Sequence, residues 1–372
     1  MATVYCELIF RREITNLLTL TLYKNILIYK NHYVKVASMD NLSHFDSQPR
    51  STTDTGAITA LCKAAGDPLR MQVLKVLQQN AYGVLELCQV FDIRQSAMSH
   101  HLKILANAGL VATRREGTTI FYRRNESHPD TDLQALQHVL FQTIDDAALD
   151  PALRTRLESI NTERSAASVA FFNQNAARFE ENQDLIASWS DYGESVESFL
   201  DNSIAARESA LEIGPGYGQF LGKLSATFKQ VTALDNSAEM LEQCRTRATS
   251  QGLQNIDFKL GDTNLAISEG LHSDCISLNM VLHHNPTPGD IVSACAQLLN
   301  SGGVLLITDL CAHDQDWVQK ACGDLWLGLE PQELTRWALS AGLVEGNSLY
   351  LAQRNGFRIQ LRQFVKSLSD NP

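Results

Sequence analysis

The chain has 372 residues, 44% of them hydrophobic and 20% charged. Its 21 glycines and 9 prolines are too few for a fibrous or low-complexity protein, so the length predicts two or three domains with cores of their own. Eight cysteines without a Cys-x-x-Cys pair exclude a small disulfide framework and fit reduced thiols in a cytoplasmic protein. The net charge of −11 is uneven: residues 1–50 and 51–130 each carry about +2 and 131–372 about −15, so only the front suits a polyanion.

Residues 1–56 read as a disordered extension and linker. The apolar run Ile14–Tyr29 is interrupted by Asn16, Lys24 and Asn25, which is too polar for a membrane span. Arg11-Arg12 before a Leu-rich stretch imitates a signal peptide, but an intracellular module follows, and Met39 is an alternative start.

From Ala57 the pattern is helical. Asp67-Pro68 starts a helix that runs to about Gln79, and a short helix at Val84–Val90 and a turn at Phe91–Gln95 follow. In Ser96–Leu105, Met98, Leu102 and Leu105 form one apolar face. Ser96, Ser99, His100 and Lys103 lie on another, with groups suited to phosphate oxygens and base edges in a major groove. Val111–Arg115 and Thr118–Arg124 alternate as strands around Glu116-Gly117, a hairpin whose Arg114, Arg115, Arg123 and Arg124 could touch phosphates. Residues 57–130 are thus predicted to be a winged helix-turn-helix domain.

Over 57–126 this segment resembles the ArsR-type repressors. The resemblance is carried by Gly66-Asp-Pro-Leu-Arg70, Glu86-Leu-Cys88, Gln95–Leu105 and Ala108-Gly-Leu-Val111. It implies a homodimer on double-stranded operator DNA. Metal-sensing relatives carry paired cysteines near the position of Cys88; here one thiol stands alone, so no metal is expected and Cys88 reads as a small core residue.

Residues 131–200 read as helical dimerisation and linker segments, with Leu133, Leu136, Val139 and Leu140 on one stripe and a candidate lid around Phe171–Phe179. Beyond 200, strands at Ser209–Ile213, Gln230–Leu234, Ile256–Leu260, Cys275–Met280 and Val304–Thr308 alternate with helices. A final hairpin turns at Arg354-Asn-Gly356. That pattern means a mainly parallel, Rossmann-like sheet with an antiparallel last strand and ligands at the strands' carboxyl ends. Glu212-x-Gly214-x-Gly216-x-Gly218 follows the first strand, Asp235 ends the second and Asp262 follows the third.

The stretch 201–372 resembles the class I S-adenosylmethionine-dependent methyltransferases. The resemblance implies that Gly214, Gly216 and Gly218 border the methionine part and Asp235 holds the ribose. It also implies that Asp262 accepts from the adenine amine and Asn279 faces the methionine end, with Glu212, Asn236 and Thr263 completing the set. His283 and His284 are candidates for a general base or for rim residues. The five cysteines from Cys244 to Cys322 read as core thiols.

The whole is therefore expected to be a multidomain α/β protein with a winged helix. It resembles ArsR-type regulators whose methyltransferase-like domain responds to S-adenosylhomocysteine or S-adenosylmethionine and which control methionine-cycle genes. The alternative is an active small-molecule methyltransferase with a fused regulatory domain.

Overall fold

The computed structural model describes residues 55–116, 119–126, 131–203 and 206–368. The extension, the candidate start at Met39 and Gly117 of the expected turn lie outside these, while Glu116 belongs to a strand. Residues 53–372 form one compact unit. Among the described residues no helix is long and apolar enough to cross a membrane.

The front comprises α1 (Thr55–Ala65), α2 (Pro68–Val76), β1 (Tyr82–Gly83), α3 (Val84–Phe91), α4 (Gln95–Asn107) and the hairpin β2 (Val111–Glu116) and β3 (Thr119–Arg124). Asp67 caps α2 by accepting from the Arg70 backbone N–H, and Pro68 fills the first turn, where a missing N–H costs nothing. Met98, Leu102 and Leu105 of α4 are fully buried in a core with Val73, Leu74 and Leu87. The next helices, α5 (Thr131–Asp146) and α6 (Pro151–Asn175), add Leu133, Phe141, Ile144, Leu153 and Ile160 to that same core. The helical region predicted as a linker thus begins inside the winged-helix core. Of its apolar stripe, Leu133 is buried while Leu136 and Val139 are exposed.

After α7 (Phe179–Asp184) and α8 (Trp189–Asp201) comes the α/β part: β4 (Ser209–Ile213), α9 (Leu221–Thr227), β5 (Gln230–Asp235), α10 (Ala238–Ser250), β6 (Ile256–Leu260), α11 (Thr263–Ser268) and β7 (Ser273–Asn279). It is completed by α12 (Pro288–Leu298), β8 (Leu299–Leu310), α13 (Trp317–Ala321), α14 (Pro331–Ser340), β9 (Leu343–Ala352) and β10 (Arg358–Lys366). The sheet order is β6-β5-β4-β7-β8-β10-β9, with β10 antiparallel to both neighbours and the other pairings parallel. Central strands covered on both faces explain the continuous apolar runs such as Val304–Ile307. Successive strands depart from β4 in opposite directions, to β5 on one side and β7 on the other. This leaves a crevice at their carboxyl ends, where open α/β sheets bind ligands.

Candidate functional site

That crevice is a pocket partly open to solvent. Its floor is the loop after β4. Gly214 and Gly216 have positive φ (64° and 56°), which other residues adopt only under strain. A Cβ on Gly214 would lie 2.7 Å from Val281 Cγ2, whereas Gly216 faces open space, so a ligand can approach its backbone. Gly218 does not line the pocket; a Cβ there would meet Cys244 Sγ at 2.9 Å, so it serves close helix packing.

Glu212 lies at the pocket base, 1% exposed. Its Oε1 accepts from Asn279 Nδ2 at 3.1 Å and Oε2 has no protein partner. Burial lifts the carboxyl to about 8 against the pull of the Asn279 bond. Asp235 at the end of β5 lines the wall beside Asn236; burial lifts it to about 6, opposed by backbone N–H bonds, chiefly from Ser237 at 2.8 Å. The aromatic cover comes from Phe172 of α6, Phe179 of α7 and Trp189 and Tyr192 of α8, two of which lie in the segment expected to be a lid. The structure does not bring Asp262 into this pocket. Its carboxylate caps α11, accepting from the Asn264 and Leu265 backbone N–H groups and from Asn264 Nδ2, and Thr263 is buried in the turn.

Met280, the one pocket residue outside glycine with positive φ (54°), turns the chain out of β7 so that Leu282–His284 forms a helical turn beneath the pocket. His284 lines the pocket against Phe172 and Phe179. His283 is fully buried, and its Nδ1 donates to Asp309 Oδ1 at 2.6 Å. Asp309 also accepts from the backbone N–H groups of Leu282 and Leu310. Asp324, 3% exposed, faces both rings. Burial lowers His283, but the charges of Asp309 and Asp324 outweigh it and hold the imidazole above its ordinary value. Burial and the neighbouring His283 push His284 well below it. Sequence reading missed Asp309 and Asp324: they are far from the His pair in the chain, and no local pattern signals their convergence.

In the winged-helix part, Ser96, Ser99, His100 and Lys103 are all exposed on α4. The four hairpin arginines separate. Arg115 is exposed. Arg124 is 2% exposed, donates to Leu74 O and pairs with Asp145, so it faces inward and cannot meet a phosphate. Arg114 and Arg123 pair with Glu333 of α14, and Arg114 donates to Gly328 O at 2.8 Å. The expectation of four phosphate-facing arginines is thereby corrected. Alternation placed them on a hairpin; one side of that hairpin is docked on the α/β part.

The docking is specific. Glu116 is buried, receives Arg114, and accepts from the Leu327 backbone N–H at 2.7 Å. Arg164 of α6 pairs with Glu86 and lies over the rings of Tyr82, Phe121 and Trp326. Trp337 Nε1 donates to Gln79 O.

Two family models match separate stretches of this chain: residues 67–113 the bacterial regulatory protein, arsR family, and residues 211–307 a methyltransferase domain. The chain therefore joins an ArsR-family helix-turn-helix domain to a C-terminal methyltransferase domain. It is similar to the ubiquinone biosynthesis O-methyltransferase of Xanthomonas axonopodis pv. citri (strain 306), with 28% identity over 177 residues, covering 43% of this chain and 73% of that protein. The enzyme of the same name from Yersinia pestis (strain Pestoides F) is 26% identical over 151 residues, covering 37% and 62%. Among solved structures, the N-methyltransferase NodS from Bradyrhizobium japonicum WM9 in complex with S-adenosyl-l-homocysteine gives a TM-score of 0.41 at 18% identity, covering 50% of this chain and 97% of that one. The [4+2]-cyclase SpnF gives 0.45 at 12%, covering 54% and 95%. These are likenesses of fold alone.

Proposed function

We propose that the chain is a cytoplasmic, homodimeric, DNA-binding transcriptional repressor whose methyltransferase-fold pocket takes S-adenosylhomocysteine or S-adenosylmethionine as effector, and that its targets are genes of the methionine cycle. The observation that carries this reading is the sharing of elements between the two sites. Helix α6 is about 37 Å long. Its Asn161 and Arg164 hold the winged helix through Tyr82 and Glu86, while its Ser168 and Phe172 hold the pocket. The loop 323–329 is a second link. Leu325 and Trp326 N–H donate to His283 O beneath the pocket, and Leu327 N–H and Gly328 O bind Glu116 and Arg114 of the wing.

The pocket's chemistry suits an adenosyl ligand. Asp235 can accept both ribose hydroxyls, the open backbone at Gly216 admits the methionine chain, and the unpaired Glu212 Oε2 suits its amino cation. Exposed Ser96, Ser99, His100, Lys103 and Arg115 would meet the operator. Exposed Leu136 and Val139 on α5 would serve the dimer contact.

The similarity to O-methyltransferases favours a second reading, an active methyltransferase of a small molecule. Calorimetric titration of both adenosyl ligands, followed by gel shifts on a duplex selected from a random pool, separates the two. Ligand-dependent DNA affinity without turnover supports the regulator. Methyl transfer with DNA affinity indifferent to either ligand would overturn it.

A further inference from the structure

The group beneath the pocket has a feature that neither ligand sensing nor DNA reading uses. His283 Nε2, His284 Nδ1 and both Asp324 oxygens are buried and have no hydrogen-bond partner. Native interiors leave few polar atoms so, and an unmet cluster calls for a missing occupant. We propose that His283, His284 and Asp324 bind one divalent transition-metal ion, with Asp309 as the positioning carboxylate.

The geometry supports a cation rather than a proton. Asp309 takes the Nδ1–H of His283 while accepting two backbone donors, which fixes the ring's orientation and turns Nε2 toward Asp324, where an ion would displace its proton. Asp324 Oδ1 stands 3.9 Å from that nitrogen and 3.6 Å from His284 Nδ1, too far for a hydrogen bond. A tetrahedral ion with bonds of about 2.1 Å holds its ligand atoms about 3.4 Å apart. The candidate atoms all lie within 4.8 Å of one another, so small side-chain rotations close the set. The backbone has already arranged it: His283 O receives the N–H groups of Leu325 and Trp326, which locks the Asp324 loop against the histidine turn.

Charge points the same way. Asp309 and Asp324 are both buried, and a buried carboxylate pair needs compensating charge. Without an ion the His283 ring alone stands against both; a dication would cancel both carboxylates and release the His283 proton. Two imidazoles with one carboxylate are the donors of zinc and ferrous ion rather than of magnesium or calcium.

His284 is shared with the pocket wall, so the test uses no adenosyl ligand and its outcome does not depend on which ligand the pocket takes. The full chain, stripped with chelator, is titrated with Co²⁺ and followed by visible absorption, with elemental analysis of the product. We expect an endpoint of one Co²⁺ per chain, displacement by Zn²⁺, and no thiolate-to-metal charge-transfer band. Asp324→Asn and His283→Gln should abolish stoichiometric binding, and Asp309→Asn should weaken it about 10–100-fold. Should the variants not fold, the wild-type chain decides: one ion of nitrogen and oxygen ligation that raises Tm supports the site. Substoichiometric uptake, a thiolate band, or unchanged binding in folded Asp324→Asn would overturn it.

Discussion

Glu212 and Asp235 end adjacent strands and carry the same functional group, yet burial moves them to different values, about 8 and about 6. For Glu212 the folded chain holds its proton more tightly than the unfolded chain does. The stability this gives is complete below the unfolded value near 4.5 and is lost as pH climbs from there through about 8. Glu212→Gln, which keeps an oxygen for Asn279, should therefore raise Tm by several degrees at pH 9 and change it little at pH 5; equal shifts at both would refute the assignment. For Asp235 the prediction concerns ligand. A carboxylate accepting a ribose diol should contribute about 1.5–3 kcal/mol, so Asp235→Ala should weaken S-adenosylhomocysteine roughly 10–150-fold in calorimetry. Wild-type affinity should fall as pH drops through about 6 and the carboxyl takes its proton, a limb of the profile that Asp235→Asn should lack. Asp235 was legible in the sequence because the strand end and the glycine loop fix its place. Asp262 stands at the corresponding point after the third strand, where its carboxylate caps α11.

At the scale of elements, α4 and the sheet were readable because their apolar periodicities, 3.6 and continuous, each permit one burial. The docking of the hairpin was not, since alternation says which residues share a face but not what covers it. That docking makes a distinguishing prediction. Lys103→Ala should reduce the salt slope of DNA binding by about one, whereas Arg114→Ala should leave the slope unchanged because its guanidinium is engaged with Glu116, Glu333 and Gly328. Equal slopes for the two variants would contradict the docked arrangement. Arg124→Ala should destabilise on the order of 3 kcal/mol without changing the slope, read by urea unfolding. It loses the Leu74 carbonyl bond and the Phe141 stack, although half-buried Asp145 can recover water. Arg164 joins α3, the hairpin and the Trp326 loop, so Arg164→Ala should shrink the effect of ligand on DNA affinity while pocket affinity changes little.

Across the whole molecule, a winged helix and a methyltransferase fold share one rod and one loop within a single compact unit. A ligand can alter DNA binding only by as much as its own affinity differs between the two arrangements of that unit. The contacts that could carry the difference, Arg114, Glu116 and Glu333 at the wing and Arg164 on α6, lie between the sites rather than in either. Coupling of this kind is typically 1–3 kcal/mol, and it is reciprocal. The direct test is calorimetric titration of S-adenosylhomocysteine into the full chain alone and into the chain saturated with its selected duplex. Ligand sensing predicts Kd values that differ by about 5–150-fold, matching the ligand's effect on DNA affinity; identical Kd values with and without DNA would contradict it.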